Sequence, residues 1–192
     1  MSNDLKISKN VAVIGSSAKL LNSNLGEIID GFTDVIRFNR APVEGYSKDI
    51  GNKTTIRITN QHVFDNIPFL DWKDNNGQPR YFIKEQKNCK IVFLGDTNSN
   101  GWRNRHNNID KSCTPYCIKR NKINGILPSV GYFTLLYLIE QDIKPVIFGF
   151  DLGDEPVTHY WENRGKPSGI HNFNFERKKI KKLHEEGKII IY

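Results

Sequence analysis

The apolar positions of the chain fall into short runs that stop at small or polar residues. Val11–Ile14 ends at Gly15, Lys90–Leu94 ends at Gly95-Asp96, and Lys144–Phe150 closes near Gly149 and Asp151. A continuous apolar run of this length, bounded by a turn signal, predicts a strand buried on both faces. Thr33–Phe38, stopping at Asn39, and the β-branched Thr54–Thr59 predict two more strands, and Lys188–Tyr192 a last one. Leu20–Ile29 predicts a short helix. A longer one follows Leu127-Pro128-Ser129 and runs to Ile139, with Ser129 as its N-cap. Strand, turn and helix thus alternate, which predicts an α/β fold with a mostly parallel sheet.

Ligands of open α/β sheets bind outside the carboxyl ends of the strands. Gly15-Ser16-Ser17 lies at the end of the first strand and Asn39-Arg40 at the end of the second. The stretch Val11–Arg57 therefore reads as half of a nucleotide pocket, with Ser16, Ser17, Asn39 and Arg40 at its rim. Gly15-x-x-x-x-Leu20 lacks the further glycines of the dinucleotide fingerprint and the Gly-Lys-Ser/Thr of a P-loop, which argues against those two phosphate devices. The helix that starts at Ser129 offers free N–H groups and a positive dipole end to an anion.

After the last long apolar strand come His159-Tyr160-Trp161-Glu162 and His171-Asn172-Phe173-Asn174-Phe175-Glu176. A histidine opens each segment; one suits a base near neutral pH and the other a phosphate ligand. Glu176, five residues after His171, either orients it or caps the helix that follows. His62, His106 and His184 receive no role. Residues 60–88 show no readable pattern. Thr97–Asn124 is polar and aperiodic, a functional loop or a disordered segment; in a transferase it would be an acceptor-binding lid.

Composition narrows the setting. At 192 residues, one domain is expected, and 38% apolar with 26% charged residues is the balance of a soluble globular chain. No apolar run approaches the roughly 18–20 residues that span a bilayer. MSNDLKISKN has no apolar signal core, so a cytoplasmic location is expected. The odd count of three cysteines excludes a complete disulfide framework. Cys113-x-x-x-Cys117 is half of a metal site or a pair of reduced thiols in a loop, with only His106 near it in sequence. The net charge of +7 favours anionic partners. Its densest part, Arg177-Lys178-Lys179-Ile180-Lys181-Lys182, sits on a predicted helix as a solvated face or as a peripheral contact with the inner face of an anionic membrane. No helix-turn-helix, zinc-finger or RNP pattern accompanies the charge, so no specific nucleic-acid partner is expected.

Taken together, four segments resemble the eukaryotic-type sialyltransferase family, glycosyltransferase family 29, whose four sialylmotifs occur in a fixed order. Val11–Arg57 looks like the large motif, above all in Arg37-Phe38-Asn39-Arg40-Ala41-Pro42 and Asp49-Ile50-Gly51-x-x-Thr54-Thr55. Leu127–Phe150 is similar to the small motif, through Pro128-Ser129-x-Gly131 and Phe148-Gly149-Phe150. His159-Tyr160-Trp161-Glu162 resembles the third motif, and His171-x-x-x-x-Glu176 the very small one. The resemblance implies a single Rossmann-like glycosyltransferase domain over residues 1–192, a metal-independent variant of the GT-A fold. Donor-binding stretches would lie at 11–57 and 127–151, catalytic ones at 159–162 and 171–176.

The same resemblance implies inverting transfer of sialic acid from a CMP-activated donor to a glycan or glycolipid hydroxyl. His171 would be the general base, and His159 would bind the phosphate and assist its departure. Ser16, Ser17, Asn39, Ser129, Val130, Gly131, Gly149 and Tyr160 would bind the donor, supported by Arg40, Glu162 and Glu176. No cofactor and no metal are implied; the chain contains no Asp-x-Asp. Departures from the family are equally specific. Ser16 stands where the family usually has Asn, and Val11 and Asp142 stand where it places a disulfide. The family's membrane anchor and stem are not expected for this chain, so the expectation is a short cytoplasmic relative, bacterial or viral in character. A related 2-keto sugar such as Kdo shares the donor chemistry. The alternative from a different class is a non-catalytic nucleotide- or polyanion-binding domain that keeps the fold.

Overall fold

The computed structural model describes residues 5–60, 63, 87–95, 109–123, 125–153, 158–161 and 172–192. Seven strands form one sheet: β1 Val11–Ile14, β2 Asp34–Phe38, β3 Ile56–Asn60, β4 Lys90–Leu94, β5 Thr114–Ile118, β6 Val146–Phe148 and β7 Ile190–Ile191. Their order is β5-β4-β3-β2-β1-β6-β7, and every ladder is parallel. From β1 the chain winds outward through β2 to β5, then returns to the other side of β1 for β6 and β7. The direction of winding therefore reverses between β1 and β6.

Helices lie on both faces because the strands alternate two apolar sets. Val11, Val13, Ile36, Phe38, Ile56 and Ile58 face helix α3 (Val130–Glu140) and Ile180 of helix α4 (Phe173–Glu185). Ala12, Ile14 and Val35 face Ile29 of α1 (Gly26–Asp30) and Ile50 of α2 (Ser47–Ile50). The predicted α/β class with its parallel sheet is observed.

Several boundaries differ from the reading of the sequence. The predicted helix over Leu20–Ile29 is one 3-10 turn at Ala18–Leu20 followed by the five-residue α1. Asn22 and Asn24 take φ of 64° and 58° between them, a left-handed conformation that a helix cannot contain. Asn24 N–H is held by Asp49 Oδ1 at 3.0 Å. The strand expected over Lys144–Phe150 keeps only its centre, closed by Gly149 at φ 63°. The aperiodic stretch Thr97–Asn124 contains β5, which apolar patterning did not reveal. Among the described residues this is an edge strand whose residues are at most half-buried, and it tolerates Pro115 because one side makes no ladder with them.

That strand also relocates the cysteines. Cys113 and Cys117 belong to β5 and its approach rather than to a loop, and the Cys89 and Cys113 sulfurs lie 3.7 Å apart in a small apolar cluster. Burial, then the neighbouring Cys113, push the Cys89 thiol up to about 12. Among the described residues no three His, Cys, Asp or Glu side chains gather in a way that suits a metal ion. Nor is any helix among them long and apolar enough to cross a membrane.

The most demanding packing is polar. Arg37 on β2 and Arg57 on β3 are register partners, and both guanidinium groups are buried, Arg37 completely at 0% exposure. Arg37 donates to the carbonyls of Ile50 (2.6 Å), Gly51 (3.2 Å) and Lys53 (3.1 Å) and to Thr54 Oγ1 (3.1 Å). Arg57 donates to the carbonyls of Asn39 (3.0 Å) and Ala41 (3.1 Å). Burial brings Arg37 down to about 10, so it remains charged near neutral pH. The two cations thus hold both ends of the connection from β2 to β3 from beneath. Arg37→Ala would strip three carbonyl groups of a charged donor, with an expected loss of more than about 3 kcal/mol. Urea unfolding of the variant beside the parent reads this directly; coincident midpoints would show that the carbonyls find other donors.

Candidate functional site

The reversal of winding puts a crevice outside the carboxyl ends of β1 and β6, the position where open α/β sheets bind ligands. Two backbones meet there. Gly15 N–H donates to Phe148 O at 2.7 Å and Ser17 N–H to Gly149 O at 3.0 Å. A Cβ on Gly15 would lie 2.2 Å from Gly149 O, and one on Gly149 would lie 2.2 Å from Leu20 Cδ1. The segment 158–161 completes the arrangement: Ala18 N–H donates to Thr158 O at 2.9 Å, and Tyr160 N–H to Ser16 O at 2.9 Å. Ser17 and His159 form an antiparallel bridge.

These contacts sort the expected site residues. Ser17 is buried and its Oγ accepts from Lys19 N–H at 3.2 Å, so it caps the 3-10 turn, while Ser16 beside it is half-buried. His159 is exposed and stacks on Trp161, with ring centroids 4.6 Å apart at 10°. Tyr160 points the other way, 2% exposed, with its hydroxyl donating to Pro42 O; it ties this segment to the connection after β2. Asn39 adopts φ 44° and its Oδ1 accepts from Asn60 N–H at 3.1 Å. Its carboxamide NH2 has no protein partner among the described residues, which leaves a donor at the strand end. Arg40 donates Nε and Nη2 to Val63 O, at 3.2 and 2.7 Å.

Helix α3 enters the same region. Its N-cap is Ser129 as expected, the hydroxyl accepting from Tyr132 N–H at 3.1 Å. The N–H groups of Val130 and Gly131 make no hydrogen bond among the described residues, and so present two donors and the positive end of an eleven-residue helix. An added Cβ on Gly131 would lie 3.1 Å from Phe150 and 3.7 Å from Phe38, whose rings pack edge to face. A side chain at Gly131 would have to push the Phe150 ring aside by a few tenths of an ångström.

Glu176 does something that spacing did not reveal. The N-cap of α4 is Asn172, whose Oδ1 accepts from Phe175 N–H at 3.1 Å, so Glu176 is not the cap. It is 5% exposed, and its Oε1 accepts from Ser129 N–H at 2.7 Å. A carboxylate from α4 therefore braces the start of α3. Arg177 corrects a second expectation. Its side chain is 13% exposed, and it donates to Asp151 Oδ2 at 2.7 Å and to Asp151 O at 3.1 Å. It belongs to the join between α4 and the loop after β6 rather than to an exposed basic face; Ile180 is buried as well, leaving Lys178, Lys179, Lys181 and Lys182 outside. His171 and Glu162 lie outside the described residues.

Sequence patterning gives Arg37 a place in the large-motif resemblance and Arg57 a place in the stretch that carries it, and neither a structural role. The signal was present: each is a lone cation at an inward position of a short strand, where only internal acceptors can satisfy it.

Fold and site define a doubly wound α/β protein in which the family-like segments meet at the carboxyl edge, where the winding of the sheet reverses. The model of glycosyltransferase family 29 (sialyltransferase) matches residues 3–92 and 102–188, and the chain belongs to that family. It is 53% identical over 58 residues to human beta-galactoside alpha-2,6-sialyltransferase 2, a match covering 30% of this chain and 11% of that protein. The Bos taurus counterpart is 54% identical over 55 residues, 29% of this chain and 11% of that one. The aligned segment is thus a small part of the curated relatives' length. In fold, the chain resembles the crystal structure of a mammalian sialyltransferase, with a TM-score of 0.67 at 20% identity over 95% of this chain and 68% of that chain. The same likeness holds for a mammalian sialyltransferase in complex with Gal-beta-1-3GalNAc-ortho-nitrophenol, with a TM-score of 0.64 at 19% identity and the same coverages.

If Glu176 braces α3, Glu176→Ala should leave Ser129 N–H unpaired and lower stability by about 1.5–3 kcal/mol, whereas Glu176→Gln keeps an acceptor and should lose less. Thermal or urea unfolding of the pair tests this; equal losses in both variants would exclude the hydrogen bond as the cause.

Proposed function

We propose that this protein is a sialyltransferase that moves sialic acid, or a related 2-keto sugar such as Kdo, from a CMP-activated donor to a glycan hydroxyl with inversion. The observation that carries the reading is the interlocking of the family's segments at one crevice: the Ser16-Ser17 turn bonded to residues 158–160, and Ser129 bonded to Glu176. The chain acts as one domain of the metal-independent GT-A type. A donor with a single phosphate needs less charge neutralisation than a diphosphate does, and in this reading the Asn39 carboxamide and the N–H groups of Val130 and Gly131 would supply donors to that charge.

In this mechanism the acceptor hydroxyl gives its proton to the imidazole of His171 as its oxygen attacks the anomeric carbon. The bond from that carbon to the phosphate oxygen breaks on the opposite face, and CMP leaves with the electron pair. His159 meets the phosphate; its stacking on Trp161 holds the imidazole in place. A positioned histidine base contributes roughly 10²–10⁴-fold to such a step.

CMP at a hundred times its dissociation constant should stabilise the protein by about 2.7 kcal/mol, raising Tm by roughly 5–10 °C. A thermal-shift comparison with UMP, CDP and UDP reads selectivity; no response to any cytidine nucleotide would sink the assignment. His171→Ala should keep the CMP response while losing about 10²-fold or more in transfer from a CMP-sugar. Normal turnover in that variant would remove His171 as the base, and a CMP response without transfer in the parent protein would favour a binding domain that keeps the fold.

A further inference from the structure

One cation near the reversal lies within the large-motif stretch but is none of the residues to which the resemblance gives a role. Lys19 is in the 3-10 turn that Ser17 caps, directly after the strand-end turn of β1. Its Nζ reaches the loop after β6, where it lies 3.4 Å from Asp151 Oδ1; a Cβ on Gly153 would lie 3.0 Å from it. The ammonium therefore spans the two loops that flank the point where the winding reverses.

Asp151 does not need this partner to be neutralised. Arg177 meets its other carboxylate oxygen at 2.7 Å, with both side chains shielded, whereas the Lys19 side chain is 58% exposed. A 3.4 Å contact from a half-exposed ammonium contributes little to stability, so the lysine stands beside the reversal without being committed to Asp151. Ligands of open α/β sheets bind outside the carboxyl ends of the strands where the winding reverses, and the N–H groups of Ser17, Ala18 and Lys19 are already bonded, so a phosphate there would need a side-chain donor. A phosphate oxygen offers an ammonium a stronger, charge-assisted hydrogen bond than a long contact to a carboxylate already shared with arginine.

We propose that Lys19 is a phosphate ligand of the donor subsite, exchanging its contact with Asp151 for a phosphate oxygen when the nucleotide binds. This rests on the reading of the crevice as a CMP site. It assigns to Lys19 part of the charge stabilisation that other nucleotide sites draw from a metal ion.

Calorimetric titration of Lys19→Met, Lys19→Arg and the unaltered protein with CMP and with cytidine tests the proposal. Lys19→Met should weaken CMP at least about tenfold, leave cytidine within about twofold, and keep the parent's Tm in the absence of ligand. Lys19→Arg should recover part of the CMP affinity. CMP binding to Lys19→Met within twofold of the parent, or an equal loss for CMP and cytidine, would overturn the assignment of Lys19 alone. Absence of CMP binding to the unaltered protein would overturn the CMP site itself, and Lys19's role with it.

Discussion

Two backbones meet at Gly15 and Gly149 with no space for a side chain between them, and the architecture of the crevice depends on that contact. With Gly15 N–H on Phe148 O and Ser17 N–H on Gly149 O, the turn after β1 is an extension of the β1–β6 ladder. A methyl group at either glycine would meet a heavy atom at 2.2 Å. The loops would have to part, and the acceptor positions used by residues 158–160 would part with them. The site is thus fixed by backbone geometry, and its side chains are carried on a frame that few substitutions could preserve.

The same frame is supported from below by charge. Buried guanidinium groups are costly unless their donors find acceptors, and Arg37, through Nε and Nη2, and Arg57, through Nη1, meet much of that cost with carbonyl oxygens, while Arg37 Nη1 stays buried without a hydrogen-bond partner among the described residues. A carbonyl cap has a structural consequence that an ion pair would lack: it pins the path of the main chain. Residues 39–54 are held at both ends by cations projecting from the sheet, which fixes Asn39 at the strand end in its left-handed conformation. Tyr160 adds a third tie through Pro42, so the connection after β2 and the segment carrying His159 are bound to each other as well as to the sheet.

The later half of the chain is joined to this frame by two acidic residues. Glu176 links α4 to the start of α3, and Asp151 links α4, through Arg177, to the loop after β6. Both bonds sit at the carboxyl edge of the sheet, near the N-terminal end of α4. Elements distant in sequence are therefore locked where the chemistry is expected, while the outer face of α4 keeps its lysines in solvent. Rigidity of this kind suits the proposed transfer, which would depend on positioning a donor and an acceptor hydroxyl for in-line displacement.

The sequence by itself determined the α/β class, the strands β1, β2, β3 and β4 to within a residue or two, the Ser129 cap and the membership of the family. Those properties are local: unbroken apolar runs, glycine at strand ends, a hydroxyl before a helix, and motifs in a fixed order. Tertiary structure alone decided the strand order with its reversal beside β1, which no local preference encodes. It also decided the fates of side chains whose roles depend on what lies opposite them. Glu176 has the same composition and spacing whether it caps α4 or braces α3; only the approach of α3 settles which. Arg37 reads as an interruption in an apolar strand until the carbonyls of residues 50–53 close over it. β5 escaped patterning because an edge strand is half-solvated and need not alternate, and Arg177 read as part of a charged face because its partner lies 26 positions earlier in the chain.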